Sequence, residues 1–168
     1  MPIKPGSARI VSHVNNHLTP LAVIIVAPAF VVAQLPRPVA IATAVLLVYS
    51  VTMNYLSVRL LRLHLGMVRS LRVASNYAVN ICLLMMLYNY WPLAWLLFLL
   101  MSIGIAVYQS PRDSTLISSS FAVILLGVHW AYGGDSAMGW ATVVVLAATI
   151  VIFNRFVNGL MRLPSSPA

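Results

Sequence analysis

Long apolar runs separated by short polar joints organise this chain. Cutting at those joints leaves six hydrophobic stretches, over residues 18–34, 39–58, 73–91, 92–108, 117–132 and 140–158. A helix needs about 20 apolar residues to cross a bilayer, and several of these stretches are on the short side of that length. The pattern predicts an all-α fold, a polytopic integral membrane helix bundle of about six transmembrane helices over 18–158. A polar, weakly basic segment at 1–17 precedes it, and a short tail at 159–168 follows.

The joints carry turn chemistry. Leu35-Pro36-Arg37-Pro38 reads as a tight turn, because a residue ahead of proline avoids the helical region. Trp91-Pro92 joins the third and fourth stretches with almost no loop, residues 109–116 form a polar loop, and Gly133-Gly134-Asp135-Ser136 makes the last turn. Pro28, inside the first stretch, removes a backbone donor and is expected to kink that helix.

Residues 59–72 differ from the rest. At 100° per residue, Arg59, Arg62, Arg69 and Arg72 fall within one arc of about 140°. Leu60, Leu61, Leu63, Met67, Val68 and Leu71 fill the opposite arc. The expectation is a basic amphipathic helix lying at the membrane surface, with Gly66 as the place to bend.

Composition agrees with the pattern. The chain of 168 residues is 61% hydrophobic and 7% charged, where a soluble domain carries about 25% charged residues. Charge then orients it. Of ten Lys and Arg residues, nine fall on one side of the six-span threading, and only Arg37 lies opposite. Cytoplasmic loops hold such an excess, so both termini are expected inside a bacterial cytoplasmic membrane. The net charge of +8 would meet anionic lipid head groups there and does not point to nucleic acid. Trp91, Trp95, Trp130 and Trp140 all map near outer ends of spans, as an interfacial aromatic belt requires. Cys82 is the one cysteine, so no disulfide within the chain is expected. The first apolar stretch follows a polar segment without a cleavable signal and reads as a retained anchor.

Small residues four apart, at Ala29/Ala33, Ala40/Ala44, Ala74/Ala78, Ser102/Ala106 and Ser118/Ala122, predict close helix contacts. No internal repeat emerges from the sequence.

Candidate chemistry is sparse. The two acidic residues, Asp113 and Asp135, sit in different loops, and no acidic residue or lysine falls in a membrane core. Proton-coupled carriers keep such groups because intramembrane charge is costly and functional. There is no HExxH, phosphate-binding loop or GxSxG, so no catalytic residue, cofactor or metal is expected. His13, His17 and His64 lack a carboxylate or thiolate to complete a metal site.

Three sets of residues remain as candidates. His129, Trp130 and Asp135 could form an aromatic-walled ligand or pH site. Asn54, Asn76, Asn80, Ser118, Ser119, Ser120, Asn154 and Asn158 form a polar set at the inner half of the bundle, with Asn76 and Asn80 the candidate ligand contacts. Such amides serve either as glue between helices or as the lining of a neutral-solute path. Arg59, Arg62, Arg69 and Arg72 are the candidate surface for anionic lipid or a partner protein. The expected function is a non-catalytic sensory, anchoring or assembly module working with a membrane or cytoplasmic partner, or with a second copy of the chain. The alternative is a small transporter or channel subunit for a neutral or weakly charged solute, with a membrane enzyme behind both. In architecture alone, six spans with little outside the bilayer, the chain resembles the N-terminal membrane regions of some bacterial sensor kinases, and in span count alone it resembles the substrate-binding subunits of vitamin importers.

Overall fold

The computed structural model describes residues 5–60 and 65–162, with side chains described over 17–56, 70–107 and 109–162. Six helices follow one another: α1 (Pro5–Val32), α2 (Arg37–Leu60), α3 (Leu65–Leu87), α4 (Leu96–Tyr108), α5 (Pro111–Tyr132) and α6 (Ala137–Leu160). Among the described residues there are no strands. The helices gather into two compact units, residues 1–97 with α1 to α3 and residues 98–168 with α5, α6 and nearly all of α4.

Four helices are long and apolar enough to cross a membrane, over Arg37–Leu56, Ser70–Leu87, Pro111–Tyr132 and Ala137–Leu160. At 1.5 Å per residue the 22 residues of α5 reach about 33 Å, matching a hydrocarbon core of about 30 Å. Within the described side chains α1 contributes an apolar run over His17–Val32, and α4, at 13 residues, is the shortest of the helices, with its apolar run over Leu96–Val107.

The polarity of the surface is inverted relative to a water-soluble protein. Leu116, Val123 and Trp130, seven residues apart on α5, stand exposed, as do Met138, Val145 and Ile152 on α6. Polar side chains occupy the interior instead: Thr43, Asn54, Ser102, Ser114, Ser118, His129, Asn154 and Asn158 are buried. Contiguous apolar exteriors of this extent need a non-aqueous solvent. The chain is an integral membrane helix bundle.

Helix ends differ from the expected boundaries for local reasons. Residues 109–116 were expected as a loop, yet α5 begins at Pro111. Ser110 caps it, its Oγ accepting from the Asp113 N–H at 3.2 Å, and proline suits the first helical position. Ser136 caps α6 in the same way through the Gly139 N–H at 3.0 Å, starting that helix three residues earlier than hydropathy indicates. The chain leaves α1 through Gln34, whose φ of 46° is left-handed. The helix α2 then opens with Arg37 and Pro38, where a proline forfeits no helical bond. At Trp91-Pro92 the expected continuous fourth helix gives way to turns, and α4 starts only at Leu96. Of the surface helix expected over 59–72, Arg59 lies near the end of α2, Arg69 and Arg72 lie in the first turns of α3, which is continuous to Leu87, and 61–64 lie outside the described residues.

Of the small-residue pairs, Ser102/Ala106 is buried at both positions and Ala29 is buried in α1. Ala74 and Ala78 face outward.

Candidate functional site

In the second unit α5 and α6 pack as an antiparallel hairpin with two unlike ends. The buried face of α5 carries Ser114, Ser118, Phe121, Leu125, Val128 and His129; that of α6 carries Val143, Ala147, Ile150, Asn154 and Asn158. The seam is thus polar near the start of α5 and apolar through the middle, where Phe121 meets Phe98 of α4 with ring centroids 4.4 Å apart.

The polar end is a connected network. Asn154 donates to the Ser102 carbonyl at 2.8 Å and accepts from Ser114 Oγ at 3.2 Å. Asn158 donates to Ser114 Oγ at 2.6 Å and to Asn154 Oδ1 at 3.1 Å. Ser118 donates to the Ser114 carbonyl at 2.6 Å, and Ser102 Oγ lies 3.2 Å from Ser118 Oγ. Three helices are joined without an ionised group, which suits a medium that offers no water to replace a missing partner. Ser114 and Ser102, central here, were absent from the expected polar set. Hydropathy placed Ser114 in a loop, and only its cap at Ser110 would have moved it into a helix.

At the other end, His129 is buried, 4% exposed, with its ring edge-on to Trp140 at a centroid distance of 4.7 Å. Two glycines make its pocket. A Cβ at Gly133 would overlap His129 Nδ1, and one at Gly139 would sit 3.1 Å from Cε1. Gly134, with φ of 73°, supplies the left-handed residue of the turn. The predicted companions lie elsewhere: Trp130 is 80% exposed on the outer face of α5, and Asp135 is exposed in the turn. Asp113 and Asp135 bracket α5, which separates them by roughly 30 Å along its axis. The two carboxylates therefore cannot act on one bond.

The first unit holds a second polar network. Asn54 of α2, nearly buried, accepts at Oδ1 from Asn76 Nδ2 at 2.9 Å and from Arg72 Nε at 3.2 Å, both on α3. Ser75 Oγ donates to the Tyr49 hydroxyl at 3.0 Å, and Asn80 Nδ2 turns back to the Asn76 carbonyl at 2.8 Å. Trp91 adds a link that sequence reasoning missed: its indole N–H donates to the Ile25 carbonyl at 2.8 Å. Ile25 lies in the turn that Pro28 loosens. The tryptophan thus ties the end of α3 to α1. Thr43 Oγ1, buried in α2, has no hydrogen-bond partner among the described residues.

Of the four arginines singled out as a basic face, Arg72 is half-buried and engaged with Asn54. Arg62 lies outside the described residues, as do the side chains of Arg59 and Arg69. A different basic cluster emerges in the second unit. At the open end of the α5–α6 hairpin, a cleft of about 490 Å³ is lined by Arg112 from α5, Arg155 from α6 and Arg162 from the turn after α6. None of the three is in an ion pair with either aspartate among the described residues. His13 and His64 also lie outside the described side chains, and no three His, Cys, Asp or Glu gather among the described residues. No family model, curated protein or solved structure matches the chain.

Proposed function

We propose that the chain is a non-catalytic membrane module that works with a partner protein, threaded with both termini on the cytoplasmic side of a bacterial inner membrane. The observation that carries this reading is the use of the polar interior. Asn54, Asn76 and Arg72 in one unit, and Ser102, Ser114, Ser118, Asn154 and Asn158 in the other, are all engaged in bonds that hold helices together. A substrate path needs polar groups that exchange partners with solute, and these already satisfy one another. The groups left to meet another molecule are cations at helix ends, where lipid head groups and cytoplasmic partners lie.

One observation favours the transporter alternative: the leading helix of one unit, α1, is interrupted by Pro20 and Pro28, and that of the other, α4, is short at 13 residues. Short or proline-interrupted segments at matching positions of two halves are a pointer to small carriers. Mild-detergent isolation from native membranes, followed by native mass spectrometry, separates the readings. The module reading expects a complex with a second protein at fixed stoichiometry. A chain that isolates alone and makes liposomes permeable to glycerol, with that permeability lost in Asn76→Leu or Asn80→Leu, overturns it.

A further inference from the structure

The cleft at the open end of the α5–α6 hairpin has the chemistry of an anion site with an apolar wall. Arg155, Asn158 and Gly159 line it from α6 at spacings of three and four, one face of a helix, and Arg162 lines it from the turn that follows. Arg112, Thr115 and Leu116 line it from the first turns of α5. The hairpin is antiparallel, so the beginning of one helix meets the end of the other and three arginines border one cleft. Asn158 is held by Ser114 and Asn154, which fixes the cleft wall.

Like charges that border one cleft without an acid between them repel, unless an anion joins them. Asp113, next to Arg112 in sequence, is engaged with its cap, Oδ2 accepting from Ser110 Oγ at 2.7 Å, and does not line the cleft. The positive dipole end of α5 is offset here by the negative end of α6 beside it, so attraction for an anion rests on the arginines. Guanidinium forks match phosphate oxygens, and three of them call for more than one negative charge.

The apolar surroundings decide the source of that phosphate. Leu116 lines the cleft and is 61% exposed, and Val123 continues its stripe along α5. Phe156, Leu160 and Met161 stand exposed beside Arg155 and Arg162 at the end of α6. In a bilayer this surface already lies among acyl chains, so a phosphate carried on a lipid reaches the cleft with its chains in place.

We infer that this cleft holds the headgroup of a dianionic lipid, a phosphomonoester or paired phosphodiester, with its acyl chains along the Leu116 and Val123 stripe. The site stands apart from the choice between module and transporter, because it uses none of the interior network's free valences. Gly159 gives a direct handle: a Cβ there would meet nothing within 4 Å, so a larger side chain enters the cleft without displacing the helices.

The test is native mass spectrometry of the full chain in detergent, titrated with dioleoyl phosphatidate, tetraoleoyl cardiolipin, dioleoyl phosphatidylcholine and inorganic phosphate. Wild type should retain phosphatidate or cardiolipin over phosphatidylcholine. Arg155→Gln with Arg162→Gln should weaken that retention about thirtyfold. Gly159→Leu should abolish it with all charges intact, and Arg37→Gln, at the start of α2 in the first unit, should leave it unchanged. Thermal unfolding alongside confirms that each variant is folded; Gly159→Met, a flexible side chain of similar size, serves if the leucine variant is not. Lipid retention unaltered in both cleft variants overturns the site, and inorganic phosphate binding as tightly as phosphatidate overturns the lipid assignment.

Discussion

The two units solve one problem with different residues. Each must hold helices together in a solvent that rewards no apolar contact over another, and each uses amide and hydroxyl bonds to do it. In the first unit the network includes a cation, Arg72, committed to Asn54. In the second, Ser114, Asn154 and Asn158 satisfy one another, and Arg112, Arg155 and Arg162 stand outside them. A basic residue near a helix end is therefore not one kind of thing. Whether it is structural or available depends on whether a neighbouring helix presents an acceptor at the right height.

That contrast can be attacked by substitution, with thermal unfolding in detergent as the measurement. The largest effect is expected at the turn of the second unit. Gly133→Ala forces His129 from its pocket and should destabilise by about 1–3 kcal/mol, while Gly127→Ala, into open space, should not. Asn154→Leu comes next, at about 2 kcal/mol, because Ser114, Asn158 and the Ser102 carbonyl lose a partner together. Asn54→Leu should cost about 1 kcal/mol, since half-buried Arg72 and Asn76 can turn toward other acceptors. A larger loss for Asn54 than for Asn154 would reverse the ranking of the two networks. Trp91→Phe, removing one bond to Ile25, should cost about 0.6 kcal/mol. Smallest of all, Arg155→Gln should leave stability within about 0.5 kcal/mol, as an exposed side chain outside every network does.

Much of the fold was legible in the chain and less of the site. Hydrophobic stretches located all six helices, because lipid imposes its requirement residue by residue along a segment. Their ends were misplaced where a cap overrides hydropathy, at Ser110 and Ser136. The amides of the polar set were legible as candidates, but Ser102 looked only like a small packing residue and Ser114 like part of a loop. The cleft was half legible. Arg155 and Arg162 share a face by spacing alone, while the approach of Arg112 follows only once α5 and α6 are folded against each other.

Composition and hydrophobic pattern alone established a membrane-embedded helical protein, because the cost of placing a side chain in lipid is local and adds up along the chain. Folding settled which polar groups are occupied and which are free. A hydrogen bond such as Asn154 to Ser102, between residues 52 apart, depends on how helices meet. The same geometry leaves three arginines of the second unit around an open cleft while binding Arg72 of the first into its interior.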